Sequence, residues 1–382
     1  MIIDLSKNLT HRIITLILLI MSLITLPVLT GCQRVPVPIT TKTDTPTETA
    51  PKQPTATDTY YPTYDSQPTS TSTEEPTKTH PTITSEATIS LVKTQPVLKV
   101  PTLSPSNLDC LSVGIPIEAC TGVVSNLEWQ PIIKTINGFP MALVPAGCFI
   151  MGNNAGFAEE QPAHGQCIQQ PFWVDITEVT VEQYTRYMNE NNCTVDKIPI
   201  WVNVYGEESI QIIKKDGLWE PKPGEKGHPL ESVNYIIATD YCAWRGGRLL
   251  TEAEWEYAAR GPDGWLYPWG NDFIADNVVR IYDKVPSAGS KPAGASWVGA
   301  LDMSSSLFEW VSSIYRPYPF DAQDGRESPL EDDNYSQRVL RGVAWYHPDG
   351  MQDNLTATTR IDNPPSRQVW YFGFRCAYDI DQ

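Results

Sequence analysis

Apolar residues are spaced in three different ways along this chain. Between Ile13 and Leu29 they run almost unbroken, interrupted only by Thr15, Ser22, Thr25 and Pro27, and they follow the cationic Lys7, His11 and Arg12. A positive start followed by an apolar stretch predicts an export signal over residues 1–31 rather than a folded element. From 33 to 108 no apolar period survives: Pro, Thr and Ser fill 39 of these 76 positions. Too little apolar surface is available there to offset chain entropy, so 32–108 is predicted to be an extended, disordered stalk. Beyond Asp109 short apolar stretches alternate with Gly, Pro and Asn turns. Thr180-Val181-Glu182-Gln183 and Thr251-Glu252-Ala253-Glu254 are capping boxes that predict two helix starts. In the second helix Ala253, Trp255, Ala258 and Ala259 give a partial apolar stripe, which assigns Trp255 to the core. Asp216-Gly217, between the alternating residues 210–215 and 218–221, predicts a two-residue hairpin. Residues 261–300 and 311–340 carry no strong period.

About 270 residues from 109 to 382 suffice for one sizeable core, and all twelve tryptophans fall in this part. A formal charge of -17 argues against nucleic acid or anionic lipid as a partner. Leu29-Thr30-Gly31-Cys32, at the end of the apolar run, resembles the lipobox of bacterial lipoproteins. That resemblance implies acylation of Cys32, a membrane partner through the N-terminal lipid, and an extracytoplasmic location on the bacterial cell membrane. Outside the cytoplasm the seven other cysteines are expected to form disulfides. Cys148 and Cys167 flank a candidate hairpin, and Cys110 and Cys120 are neighbours in the opening segment, so each is a plausible pair.

Toward the C-terminus Arg341-Gly342-Val343-Ala344-Trp345 is followed by Arg360, Pro365 and Gly373-Phe374-Arg375-Cys376-Ala377. Upstream, in order, come N-G-F-P-M-A-L-V-P-A-G from Asn137, F-W-V-D-I-T-E-V-T from Phe172, H-P-L-E-S-V-N-Y from His228, G-G-R-L-L-T-E-A-E-W-E-Y-A-A-R-G from Gly246, and Y-P-W-G from Tyr267. This series resembles the formylglycine-generating enzymes, the sulfatase-modifying-factor family, with a core at about 137–380. The resemblance implies an α+β, loop-rich variant of the C-type-lectin-like fold with little regular secondary structure. It also implies a Cys242–Cys376 disulfide, which leaves Cys193 without an assigned partner. Calcium is the cofactor it implies, held by Asp302 and Glu309 with the carbonyls of Ser305 and Leu307, and at a second site by Asn277 and the Val278 carbonyl. Hard oxygen donors of this kind suit calcium.

The family's catalysts bind copper(I) between two cysteines, at the seventh and twelfth residues counted from the first Arg of the R-G segment. Here those positions hold His347 and Gln352. Soft thiolate selects copper(I), and an imidazole beside a neutral amide is a poor substitute, so copper is not expected and these catalytic positions are degenerate. The five histidines, at 11, 80, 164, 228 and 347, form no metal motif. In relatives of this fold the same C-terminal segment forms the ligand face, which here would comprise Tyr346, His347, Gln352, Asn354, Arg360, Trp370 and Tyr371, although a buried Arg paired to Glu or Asp is equally expected at Arg360. Aromatic rings beside Arg and amides suit peptide or sugar recognition. The favoured reading is a surface-tethered, non-catalytic module for a peptide, glycan or protein ligand. The alternative is an oxidoreductase of the family's own type, converting a peptidyl cysteine to formylglycine.

Overall fold

A computed structural model describes residues 98–104, 108–199, 201–202, 208–280, 285–328, 336–344 and 355–380. Cys32 and the expected export signal lie outside these residues, as do Trp345, Tyr346, His347, Gln352 and Asn354. Among the described residues no helix is long and apolar enough to cross a membrane.

Fifteen strands and four helices are described. The strands are β1 (Ile133–Ile136), β2 (Phe139–Val144), β3 (Gly147–Met151), β4 (His164–Ile168), β5 (Phe172–Asp175), β6 (Trp201–Val202), β7 (Glu208–Ser209), β8 (Ile212–Lys215), β9 (Leu218–Pro221), β10 (Arg248–Leu249), β11 (Phe308–Ile314), β12 (Arg338–Arg341), β13 (Arg360–Asn363), β14 (Phe372–Gly373) and β15 (Cys376–Asp379). The helices are α1 (Ile117–Thr121), α2 (Val181–Glu190), α3 (Tyr235–Trp244) and α4 (Glu252–Arg260). This is an α+β, loop-rich architecture, as expected.

Both capping boxes form. Thr180 accepts from the Gln183 amide while the Gln183 side chain accepts from the Thr180 amide, and Thr251 and Glu254 do the same at the start of α4. Asp216 and Gly217 take φ of 50° and 88°, the two consecutive left-handed residues that a tight hairpin needs, and β8 pairs with β9 across them. The first sheet has the order β1-β2-β5-β15-β10, with every neighbouring pair antiparallel; the second has the order β13-β12-β11-β14. The last strand of the chain therefore lies inside the first sheet, between strands from its beginning and its middle.

Three disulfides match the expected pairs: Cys110–Cys120, Cys148–Cys167 and Cys242–Cys376. Cys193 is also disulfide-bonded, and no free cysteine occurs among the described residues. One boundary is corrected. The expected stalk does not stay clear of the fold to residue 108: Ser104 N–H donates to Gln169 Oε1, and Pro101 lies so close to Gly165 that a Cβ there would meet it at 2.5 Å. The absent side chain at Gly165 lets this extended segment run alongside β4.

Two apolar cores flank α4 and the second sheet. One gathers Met141, Leu143, Phe172 and Val174 of the first sheet with Trp255 and Tyr257 of α4. The other gathers Tyr184 and Tyr187 of α2, Tyr241 of α3, Trp310 of β11 and Phe374.

Candidate functional site

Strand register sets the site. Glu309 of β11 pairs with Arg341 of β12, which pairs with Arg360 of β13, so three charged residues form one row across the second sheet. Helix α4 crosses this row. Its Glu252, Glu256 and Arg260 are spaced i, i+4, i+8 and so share one face. Glu252 accepts from Arg360 Nε at 2.6 Å and Nη2 at 3.0 Å, while Glu256 accepts from Arg341 Nη2 at 2.6 Å, from the Gly152 amide at 2.8 Å, and from Arg260. All five side chains of this group are essentially sealed from solvent. Burial alone would raise the Glu256 pKa, but the Arg341 and Arg260 guanidiniums and the Gly152 amide hold it below the usual value. Tyr318 closes the group from below, its hydroxyl donating to Glu252 at 3.1 Å, and Arg360 lies over its ring at 4.2 Å.

Of the two placements expected for Arg360, the structure has the buried one, paired to Glu252, and not the ligand face. Its guanidinium is buried against Glu252, because a charge this deep persists only when paired. Trp255, expected in the core, is fully buried and its Nε1–H donates to Glu309. Of the proposed ligand face, the described residues include Trp370 and Tyr371. Both are half-buried, with ring centroids 5.1 Å apart and edge-to-face, and they pack with Phe308 against Val285, Leu307 and Ala344. A second aromatic group, with Tyr267 stacked on Trp269 at 5.4 Å and Phe273 beside them, packs against Val343 and Leu355. Val343, Ala344 and Leu355 flank residues 345–354 in sequence.

The expected calcium ligands divide into two sets. Asp302 is buried at φ 64°; its Oδ2 accepts from the Gly289 amide at 2.6 Å, and its Oδ1 has no hydrogen-bond partner. An orphaned carboxylate oxygen of this kind fits a cation. Glu309 fits less well: Arg375 donates to both its oxygens at 2.7 Å, and Trp255 shares one of them. Ser305 is buried with its hydroxyl accepting from the Val279 amide, and Leu307 is fully buried. Ser306 takes φ 92°, a region that tolerates Gly and Asn better than Ser. Asn277 and Val278, the second expected site, are buried at the end of a short 3-10 turn, and the Asn277 carbonyl lies 2.5 Å from where a Gly294 Cβ would stand.

The charged residues that organise this region were not singled out from the sequence. Glu178, Glu252, Glu256 and Arg375 all lie in quoted motifs, and the available signal was the i, i+4 pair of glutamates on a helix otherwise rich in core residues. Glu178 in particular, between β5 and α2, is sealed from solvent beside Asp302 and Ser306.

Residues 134–380 match the family described as the sulfatase-modifying factor enzyme 1-like domain. The chain is 31% identical over 277 residues to the inactive C-alpha-formylglycine-generating enzyme 2 of Mus musculus, covering 62% of this chain and 85% of that protein. It is 26% identical over 287 residues to the formylglycine-generating enzyme of Streptomyces coelicolor, covering 62% and 88%. With the serine/threonine-protein kinase pkn1 of Chlamydia pneumoniae it shares 31% identity over 255 residues, which span 66% of this chain but only 39% of the kinase. Among solved structures, PvdO from Pseudomonas aeruginosa superposes with a TM-score of 0.52 at 23% identity, over 66% of this chain and 99% of that one, a likeness of fold.

Proposed function

The chain belongs to the sulfatase-modifying factor enzyme 1-like domain family, and from that premise we propose that it is a surface-tethered binding module without the family's oxidation chemistry. The observation that carries the proposal is the pair His347 and Gln352 at the positions where catalysts of the family hold copper(I) between two thiols. Every described cysteine is tied in a disulfide, so none offers a thiolate to replace them. A relative at 31% identity bears a name that calls it inactive.

A family frame without its catalytic pair leaves the C-terminal ligand face as a recognition surface. Trp370 and Tyr371, half-buried, offer large rigid rings of the kind that anchor a peptide or glycan. The apolar run from Ile13 to Leu29 would tether the chain to the membrane, and the Pro/Thr/Ser-rich stretch spaces the head from it. Calcium is the proposed cofactor, with Asp302 as its carboxylate ligand.

The test is incubation of the purified chain with copper(I) and a C-x-P-x-R peptide under air, followed by mass spectrometry for the aldehyde. No conversion is expected. Time-dependent formylglycine would restore the oxidoreductase reading. A glycan and peptide array screen of the same protein should return a ligand whose binding falls at least tenfold in Trp370→Ala.

A further inference from the structure

We propose that Asn192, just past the end of α2, is an acceptor for an N-linked glycan. This assignment rests on the export reading above, because the lipid-linked sugar donor is met outside the cytoplasm.

Four stretches of the chain have the Asn-x-Ser/Thr pattern that such transfer requires: Asn8-Leu9-Thr10, Asn192-Cys193-Thr194, Asn334-Tyr335-Ser336 and Asn354-Leu355-Thr356. So short a pattern recurs by chance, and a glycan is bulky enough to need an exposed loop, so accessibility separates a usable acceptor from the rest. Asn8, Asn334 and Asn354 lie outside the described residues. The residues after Asn354 do not suit a transferase: Leu355 is fully buried, and Thr356 is buried with its hydroxyl bonded to that of Thr358 at 3.0 Å. Asn192 and Thr194 are both exposed. Glu190, two residues before Asn192, supplies the acidic residue that bacterial acceptor sequences carry at that place.

Three asparagines crowd this helix end, and the fold uses the side chains of two. Asn189 Nδ2 donates to the Trp219 carbonyl at 2.9 Å while its Oδ1 accepts from the Trp219 amide at 2.8 Å, and Asn191 Nδ2 donates to the Tyr187 carbonyl at 2.9 Å. The Asn192 carboxamide makes no hydrogen bond among the described residues. Its backbone is fixed all the same. At φ 51° its N–H donates to the Asn189 carbonyl at 3.3 Å, and Cys193 N–H donates to the Met188 carbonyl at 2.9 Å, the bonds that close a helix through one left-handed residue. Glycine suits such a position best and Asn is the usual substitute, so the backbone alone does not demand an amide here. Trp219 Nε1–H donates to the Cys193 carbonyl at 3.0 Å, which pins the turn that displays Asn192.

Transfer to Asn192 balances without oxidant or reductant. The carboxamide nitrogen displaces a lipid diphosphate from C1 of its oligosaccharide: a C–N bond forms, the C–O bond to the diphosphate breaks, and the amide proton passes to a base of the transferase. The Thr194 hydroxyl, which the transferase must engage, donates in the folded chain to Asp196 of its own loop, so no distant element has to move to free it.

The experiment takes the full chain from the membrane fraction of the cells that make it, reduces the Cys193 disulfide, and reads the peptide carrying Asn192 by mass spectrometry. Protease treatment of intact cells reports export separately. The peptide should be heavier by the mass of an oligosaccharide. That increment should disappear in Asn192→Gly, which suits the left-handed turn, and in Thr194→Ala, and it should return in Thr194→Ser. An exported chain with a bare Asn192 overturns the proposal and leaves the export reading standing; a chain that protease cannot reach overturns both. A sugar on Asn192 that survives Thr194→Ala, or one found on Asn354 instead, also overturns it.

Discussion

Glu256 shows how much a single side chain can hold in this molecule. Its carboxylate is the common acceptor for Arg341, Arg260 and the Gly152 amide, in a place without solvent. Glu256→Gln keeps the shape but leaves two buried guanidiniums short of a counter-charge, and breaking a buried pair in this way costs about 3–5 kcal/mol. Urea unfolding should show that loss without any change in the packing of Trp370 and Tyr371. His164 offers a second, milder test. Its Nδ1–H donates to the Pro162 carbonyl at 2.9 Å and its Nε2 accepts from Phe320 N–H at 2.8 Å, an arrangement only the neutral ring can make. Burial lowers its pKa from the ordinary 6.5, with Arg326 adding to the shift and the Pro162 carbonyl, Glu256 and Glu252 opposing it. The folded chain then binds fewer protons than the unfolded one, so this contribution is present above pH 6.5 and is lost as pH falls toward the lowered value. His164→Gln, which can still accept from Phe320, should remove that part of the slope of stability against pH.

Helix α4 carries more of the architecture than its nine residues suggest, because nearly all of them are buried. It starts where it does because Thr251 and Glu254 satisfy each other's amides, and it ends at Gly261, whose φ of 66° terminates the turn. Thr251→Ala should cost about 1 kcal/mol of stability, typical for a lost N-cap, and guanidinium unfolding measures it. The β8–β9 hairpin gives the complementary case. At Gly217 a Cβ would meet nothing within 4 Å, so Gly217→Ala tests backbone strain alone and should cost about 1–2 kcal/mol. A loss well above that would mean that the hairpin is packed more tightly than its open surroundings indicate.

Closure of the whole head rests on the Cys242–Cys376 bond, which joins α3 to β15 across 134 residues. Cross-linking so long a loop removes unfolded-state freedom worth about 5 kcal/mol on the chain-entropy estimate. Cys242→Ser should accordingly lower the melting temperature more than Cys148→Ser, whose 19-residue loop is worth about 3 kcal/mol on the same estimate. It should also leave Cys376 open to thiol reagents. An equal, small effect of the two substitutions would show that strand pairing in the first sheet closes the fold without the cross-link.

Local chemistry was legible in the amino-acid order. The two capping boxes, the Asp216-Gly217 hairpin, the burial of Trp255 and the α+β, loop-rich class rest on contacts within a few residues or on motif series, and short-range hydrogen bonds need no distant partner to be read. His347 and Gln352 at the thiol positions are likewise plain from the sequence. Which charges are buried was not. Arg360 could face a ligand or pair with a buried acid until β13 pairs with β12 and Glu252 arrives from 108 positions away. Glu178 looks like an ordinary polar residue between strand and helix until Asp302 and Arg375 close around it. A side chain's charge is written in the chain, but its solvation and its counter-ion are set by residues distant in sequence, so only the tertiary structure decides whether that charge meets water, a guanidinium or a cation.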